Sequence, residues 1–148
     1  MCEDVTTMSQ ANLLTAGSWF TERFQIERQV GAGGMGTVFC ARDKQTSRQV
    51  ALKILQTHGT PFEGERFARE AQLLAELNHP HIVSYVADGT DESGQHFLAM
   101  EWLEGEDLAQ RLHREPLNLP EAVALLTNAS SALAAAHKSG IIHRGLIP

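Results

Sequence analysis

Hydrophobic and polar residues alternate along the first part of the chain, which is the period of a β-strand. Phe24, Ile26 and Val30 form the apolar set of the first strand, and Arg28 interrupts their row. Runs of β-branched and aromatic residues bounded by turn residues indicate four more strands. The pattern predicts an antiparallel sheet whose strands begin at Phe24 and lie at 37–41, 49–55, 82–87 and 95–102, with a turn over 88–94 between the last two.

Apolar residues at helical spacing follow the third predicted strand and predict a helix over 62–78. Its apolar positions are Phe67, Ala71, Leu74 and Leu77. A short helix over 107–113 and a longer one over 120–138 follow the last strand. Pro120 suits the first position of the longer helix, and Gly140 suits the stop after it.

The length and composition are those of one domain or part of one. The chain has 148 residues, of which 43% are hydrophobic, and this is enough for a single core. Residues 1–18 lack either hydrophobic period, so we expect a disordered leader there and a fold that begins near Trp19 and occupies 19–148. No apolar run of the sequence is long enough for a signal peptide or a membrane span.

Charge and cysteine content argue against several classes of partner. The formal net charge is −6, and no cluster of Lys or Arg is long enough to bind nucleic acid or an anionic membrane. Cys2 and Cys40 have neither the spacing of metal ligands nor that of a disulfide framework, and the seven histidines are scattered. We therefore expect a protein of the reducing cytoplasm without a metal site.

A glycine-rich segment follows Val30. Its residues are Gly31, Ala32, Gly33, Gly34, Met35, Gly36, Thr37 and Val38. Such glycines let backbone N–H groups approach phosphates, although dinucleotide-binding domains use the same spacing and many glycine clusters are only flexible turns. In dinucleotide-binding domains the third glycine opens a helix, whereas Gly36 opens a run of strand formers. The sequence therefore favours a hairpin.

The position of Lys53 favours nucleotide binding by the glycine-rich segment over a flexible turn without a ligand. Alternation along the third strand puts Val50, Leu52 and Ile54 on one face and Ala51 with Lys53 on the other. A small residue and a positive charge then share the face opposite the packed one. Such a face suits an adenine and its phosphates.

Glu70 is the candidate partner of Lys53. Most glutamates on helices are solvated. Glu70, however, comes three residues after Phe67 and four before Leu74, which assigns it a place in the apolar stripe. A carboxylate on an inward face needs a cation, and Lys53 is the available one.

Six motifs stand in a fixed order along the chain. They are the glycine-rich segment, the run Val50–Lys53, the run Arg69–Ala71, the run Asn78–Val83, the run Met100–Gly105 and the run Ile141–Arg144. From about Phe24 to its end, the chain thereby resembles the bacterial eukaryotic-like serine/threonine protein kinases. The resemblance implies an α+β fold. A five-stranded antiparallel sheet with one helix, the N-lobe, would occupy about 19–102, and the hinge and first helices of an incomplete helical C-lobe would occupy 103–148.

The resemblance also implies an ATP site under the sheet. By position, Val30, Val38 and Ala51 would enclose the adenine. Lys53 would hold the α- and β-phosphates and pair with Glu70. Met100 would lie at the back of the pocket, and the backbone at Glu101 and Leu103 would hydrogen-bond the adenine edge.

The resemblance fails at the catalytic loop. The family places there an Asp that accepts the proton of the substrate hydroxyl, and a Lys follows it. This sequence has Gly145 at the Asp position and Ile147 at the Lys position, and it ends before the metal-binding Asn and the Asp-Phe-Gly motif. We therefore predict no intact catalytic residue, no Mg²⁺ site, weak ATP binding and no turnover.

Three functions are compatible with these residues. The first is a catalytically inactive, truncated part of an ATP-dependent protein kinase. The second is a pseudokinase-type module that senses nucleotide or binds other protein chains through its C-terminal helices. Its predicted helix over 120–138 has apolar residues nearly all round, which suggests surfaces that need a partner. The third is an enzyme that uses other groups.

Overall fold

The computed structural model describes residues 14–33, 36–55 and 61–141, and these residues form one antiparallel sheet of six strands and three helices. The strands are β1 (Trp19–Phe20), β2 (Phe24–Gly33), β3 (Gly36–Asp43), β4 (Gln49–Ile54), β5 (Tyr85–Thr90) and β6 (His96–Glu101), in the spatial order β1-β2-β3-β4-β6-β5. The helices are α1 (Pro61–Glu76), α2 (Leu108–Arg114) and α3 (Leu119–Lys138). The five predicted strands are present, and the short β1 is an addition.

The two faces of the sheet have different roles. One face, here called the core face, buries a cluster that includes Phe24, Phe39 and Leu52, and the rings of Phe24 and Phe97 meet edge to face at 5.6 Å. The opposite face carries α1, whose Phe67 and Ala71 pack against Leu98 of β6 in a second, smaller cluster. The side chains of a strand point alternately to the two faces, so each central strand contributes to both.

Two irregularities in β2 explain why its apolar row is interrupted. Ile26 pairs with Ala41, but the next register pair is Arg28 with Cys40, so one extra residue stands between them. A second shift lies between Gln29 and Gly31. At a β-bulge two residues oppose one on the partner strand, which redirects the following side chain. Arg28 therefore leaves the face of Ile26, and strict alternation from Phe24 is wrong beyond Ile26.

The turn between β3 and β4 is organised by a buried carboxylate. Asp43 is fully buried and accepts hydrogen bonds from Nε and Nη2 of Arg23, both at 2.8 Å. It also accepts from the Gln45 backbone N–H and the Thr46 hydroxyl. The hydrogen bond from Arg23 is the main reason that the pKa of Asp43 is lowered to about 2. This ion pair joins the start of β2 to the end of β3.

The second hairpin is shifted toward the C-terminus relative to the prediction. Strand β5 begins at Tyr85 rather than at Ile82, and the turn covers 91–94 rather than 88–94. The Asp91 carboxylate accepts backbone hydrogen bonds from Ser93 and Gln95, which fixes the turn at that position. Residues 88–90 remain in the strand because Gly89 is compatible with pairing opposite Phe97.

The ordered fold begins earlier than Trp19. Leu14 packs against the core cluster, and the Gly17 N–H donates to the Ile26 carbonyl oxygen at 2.7 Å. The boundary predicted at residue 18 is therefore too late, and residues 1–13 lie outside the described residues.

Helices α2 and α3 begin at well-formed caps. Asp107 and Asn118 each accept a hydrogen bond from the backbone N–H three residues later, at Gln110 and Glu121. In return, the backbone N–H of each cap residue donates to the side-chain oxygen of the same Gln110 or Glu121. Ala136 is the one buried residue within these two helices. Within the described part of the chain, no helix is both long enough and apolar enough to cross a membrane.

Candidate functional site

Cross-strand register brings the predicted adenine and phosphate residues onto one face of the sheet. Val38 pairs with Lys53, and Ala51 pairs with both Cys40 and Met100. Directly paired residues point to the same face, and this is the face opposite the core face. It is called here the cleft face, defined by Val38, Cys40, Ala51, Lys53 and Met100.

Burial along β4 confirms the alternation predicted from the sequence. Val50, Leu52 and Ile54 are buried in the core, whereas Ala51 and Lys53 are only partly buried. A small side chain and an ammonium group therefore lie next to each other on the cleft face. That these residues contact a nucleotide stays a prediction.

The bulges of β2 shift which of its residues lie beside this face. At the first, Glu27 is the residue inserted before the pair Arg28–Cys40, so Arg28 lies opposite a cleft-face residue. At the second, Val30 is the residue inserted before the pair Gly31–Val38, and it is 40% exposed. That Val30 contacts the adenine stays a prediction.

The glycine-rich segment is a hairpin, as predicted, and not the start of a helix. Gly31, Ala32 and Gly33 pair with Val38, Thr37 and Gly36 across the β2–β3 ladder. Gly34 and Met35, at its tip, lie outside the described residues. Thr37 is buried and pairs with Ile54 of the core cluster, so its side chain belongs to the core face and only its backbone remains a candidate for ligand contact.

The described glycines of the hairpin serve different purposes. Gly36 has a φ of +128°, and a Cβ built there would lie 2.2 Å from the Ile54 carbonyl oxygen, so the fold itself requires glycine. Among the residues that the structure describes, a Cβ at Gly31 or Gly33 would meet nothing within 4 Å, and neither glycine has a positive φ. The fold leaves the space over Gly31 and Gly33 open, and a phosphate group can approach the backbone there.

The expected ion pair between Lys53 and Glu70 is not formed. Glu70 is exposed, and no salt bridge within 4.0 Å joins the two among the described residues. The Lys53 Nζ instead lies 5.7 Å from the ring centroid of Phe67. A helix turns by about 100° per residue. Glu70 is therefore about 60° from Phe67 on the side away from Ala71, at the flank of the buried stripe rather than within it.

The two predicted hinge positions after β6 differ in whether their backbone N–H groups are already hydrogen-bonded. The Glu101 N–H donates to the Ser84 carbonyl oxygen at 2.9 Å, and Ser84 N–H donates to the Glu101 carboxylate at 2.8 Å. The Glu101 N–H is therefore already occupied. Leu103 follows the end of β6, is 67% exposed, and its backbone makes no hydrogen bond within the described residues. Of the two predicted hinge positions, Leu103 is the one with a free donor.

A polar network borders the cleft face beside Cys40. Glu27 accepts hydrogen bonds from Gln49 Nε2 at 2.6 Å and from Arg42 Nε at 2.9 Å, and these bonds, the first above all, lower its pKa. The Cys40 thiol contacts the same carboxylate at 3.6 Å. Burial, and next the charge of Glu27, raise the pKa of this free thiol, as is typical of a buried structural cysteine.

One contact at the hinge end of this face could not be predicted from the sequence pattern. The Arg28 guanidinium lies 5.1 Å from the ring centroid of Trp102, the residue between Glu101 and Leu103. The interruption at Arg28 was visible in the hydrophobic pattern. The bulge that redirects Arg28 was not, because no glycine or proline marks it.

The predicted catalytic positions lie outside the described residues, so the structure says nothing of Gly145 or Ile147. Over residues 14–33, 36–55 and 61–141, no group of three or more His, Cys, Asp or Glu residues is arranged to hold a metal ion. The absence of a Mg²⁺ site from the chain stays a prediction.

Comparison with known families agrees with this arrangement. The model of the protein kinase domain family matches residues 24–148. Serine/threonine-protein kinase pkn3 of Myxococcus xanthus is 41% identical over 137 residues, a match that covers 89% of this chain and 25% of the relative. The probable serine/threonine-protein kinase PknB of Lactococcus lactis is 36% identical over 143 residues, covering 92% of this chain and 22% of the relative.

Solved structures give the same result for the fold. The crystal structure of the PknI kinase domain of Mycobacterium tuberculosis is similar with a TM-score of 0.78 and 32% identity, covering 91% of this chain and 55% of that one. The chain thus spans about half of a solved kinase domain and a quarter or less of the two curated relatives.

Proposed function

This chain belongs to the protein kinase domain family, as part of a serine/threonine kinase domain of the bacterial kind, and we propose that its cleft face binds ATP without transferring the γ-phosphate. One observation carries the proposal. The cross-strand rows Val38–Lys53 and Ala51–Met100 put an apolar surface and a cation on one face, between an open glycine hairpin and a free hinge N–H.

Each part of the face suits one part of ATP. The small side chain of Ala51 leaves room for a flat ring, and Val30 and Val38 supply apolar surface beside it. The Leu103 N–H can donate to a ring nitrogen at the adenine edge. The Lys53 ammonium forms no salt bridge within the described residues, and it can pair with phosphate oxygens.

Phosphoryl transfer needs more than this binding face. The hydroxyl that attacks the γ-phosphate must be oriented and must give up its proton, and in this family an Asp accepts it. Gly145 has no side chain for this purpose, and Ile147 brings no charge to the transferring group. We therefore propose that this chain does not turn over ATP.

A second candidate function, a protein-interaction module, is favoured by the surface of α3. Leu119, Val123 and Leu126 are 77%, 55% and 67% exposed. They are four and three residues apart, so they share one face of the helix. Single exposed apolar residues are ordinary, but three on one face are typical of a surface that another protein covers.

Nucleotide binding is tested by thermal unfolding of the 148-residue chain with and without ATP. A ligand at about one hundred times its dissociation constant stabilises the folded state by about 2.7 kcal/mol, which raises the melting temperature measurably. We expect this rise for the unmodified chain and for Lys44→Ala, a matched lysine whose Nζ lies over Trp19 and not on the cleft face. Lys53→Ala should show no rise in melting temperature with ATP. A folded chain without any rise at saturating ATP would refute the proposal.

The absence of turnover needs a separate assay. We expect no transfer of labelled phosphate from ATP to a generic acceptor protein. Transfer that the unmodified chain supports and Lys53→Met abolishes would contradict the proposed inactivity while leaving the nucleotide site in place.

A further inference from the structure

We propose that Arg28 and Trp102 form a clasp that ties the glycine-bearing strand to the hinge and thereby positions the nucleotide site. This inference rests on the proposed function of the cleft face. The Arg28 guanidinium carbon lies 5.1 Å from the Trp102 ring centroid, within the range of a cation–π interaction.

The clasp joins two parts of the sheet that do not pair. Arg28 belongs to β2, and Trp102 directly follows β6, from which β2 is separated by β3 and β4. Neighbouring strands are about 4.8 Å apart, so in a flat sheet the backbones of β2 and β6 would be about 14 Å apart. Two long side chains therefore span this gap, and the contact constrains how far the sheet curls.

The position of the clasp ties it to the proposed adenine site. Arg28 opposes Cys40, whose row continues through Ala51 to Met100. Trp102 is two residues beyond Met100. On the other side of Arg28, Val30 directly precedes Gly31, which pairs with Val38. A movement of β2 relative to the hinge would change the distance between Val30 and the Leu103 N–H, and adenine needs both.

The bulge between Ile26 and Arg28 makes the clasp possible. Without it Arg28 would share the face of Ile26, which is buried in the core, and a guanidinium there would lack a partner. With it, Arg28 opposes Cys40 and reaches the indole. The contact between Arg28 and Trp102 therefore depends on the bulge. Arg28 acts as a positioning residue through Trp102.

A double-mutant cycle on ATP affinity tests the clasp in the full 148-residue chain. Arg28→Ala and Trp102→Leu should each weaken ATP binding by about two- to fivefold, the fold-change that corresponds to a half-exposed cation–π contact. The double variant should be no weaker than either single one, because one contact is lost in all three. Arg28→Lys, which keeps a cation over the ring, should restore most of the affinity.

The control is the other pairing of a cation with a tryptophan. Lys44 lies over Trp19, 5.7 Å from its ring centroid, and belongs to no part of the proposed site. Lys44→Ala should bind ATP like the unmodified chain. If Arg28→Ala weakened binding equally in the presence and absence of Trp102, the charge of Arg28 and not the clasp would be responsible, and the inference would be overturned.

A fluorescence measurement tests the contact between Arg28 and Trp102 independently of nucleotide binding. The chain has two tryptophans, so Trp19→Phe leaves Trp102 as the only one. In this background and without nucleotide, Arg28→Ala should change the emission of Trp102, whereas Lys44→Ala should not. Unchanged emission would refute the clasp. If the emission changes but the chain fails to bind ATP, the contact between Arg28 and Trp102 is supported. The proposed function, and with it the role of the clasp in nucleotide binding, is then refuted.

Discussion

The sheet lobe (residues 14–33, 36–55 and 61–101) and the helical segment (residues 108–141) are stabilised in different ways. The sheet lobe buries a continuous aromatic and aliphatic cluster, with the Arg23–Asp43 ion pair at its edge. The helical segment buries one alanine within its helices and leaves most of its leucines exposed. The first region therefore depends on burial, and the second depends on local hydrogen bonds.

The difference matters for the proposed function. The side chains that define the cleft face, Val38, Cys40, Ala51, Lys53 and Met100, all belong to the sheet lobe. Within the described residues, α3 contacts that lobe at His79, whose Nε2 lies 3.0 Å from the Ser131 hydroxyl oxygen. We infer that nucleotide binding depends on the sheet lobe and tolerates local unfolding of the helices, whereas any partner surface on α3 depends on the caps of that helix.

The largest expected effect comes from truncating the core of the sheet lobe. Phe39 is fully buried between β2 and β4, and Phe39→Ala should destabilise the chain by about 3–5 kcal/mol, because it removes a large apolar side chain and leaves a cavity. The matched change Leu126→Ala on the exposed face of α3 should remain within about 0.5 kcal/mol. Urea unfolding followed by tryptophan fluorescence measures both. Equal losses in the free energy of unfolding for the two variants would contradict the difference between the sheet lobe and the helical segment.

Two glycines of one hairpin should respond in opposite ways. Gly36→Ala should cost about 3 kcal/mol, because it combines a strained φ with a clash against the Ile54 carbonyl oxygen. Gly33→Ala meets nothing within 4 Å and should leave unfolding in urea nearly unchanged. It should nevertheless weaken ATP binding, since its methyl group occupies the open space proposed for phosphate. Tight ATP binding by Gly33→Ala would remove that hairpin from the proposed site.

Acid should destabilise the sheet lobe through Asp43. The pKa of this carboxyl is about 2 in the folded state and 3.8 in the reference state, because Arg23 hydrogen-bonds to it. A lowered folded pKa means that the stabilisation is complete above pH 4 and is lost as the pH falls toward 2. The loss should amount to about 2 kcal/mol. In Asp43→Asn, which is less stable at neutral pH, this part of the pH dependence should be absent from urea unfolding curves measured between pH 2 and 5.

Much of the fold could be predicted because its signals are local. The alternation along β4 assigned Lys53 to the correct face, and the strand formers after Gly36 identified the hairpin. The spacing of Glu70 led to a wrong prediction of its burial, because a residue three positions after the buried Phe67 and four before the partly buried Leu74 can still lie at the flank of the apolar stripe. Whether Glu70 is buried depends on which side of α1 faces the sheet, the side of Ala71 or that of Gln72. Ala71 is the buried one, and Glu70 lies on the other side of Phe67 from it.

Other features depend on tertiary structure that no local pattern encodes. The first bulge of β2 brings Glu27 and Arg28 to partners on the cleft side, namely Arg42, Gln49 and Trp102. Those partners are 14 or more positions away in sequence, so the pattern around Arg28 showed only an interruption. The start of β5 depends likewise on the pairing of Ser84 with Glu101.

The smallest expected effect concerns the cap of α3. Asn118 accepts the Glu121 N–H at 2.9 Å, and Asn118→Ala removes this bond at a cost of about 1 kcal/mol. If the two regions are independent, amide hydrogen exchange should become faster in α3 while the amides of β3 and β4 stay unchanged. Asn128→Ala, in the middle of the same helix, is the control: alanine favours the helix there, so exchange should become faster in neither region. Faster exchange in both regions with Asn118→Ala would mean that α3 and the sheet unfold as one cooperative unit. Nucleotide affinity would then depend on the helices as well.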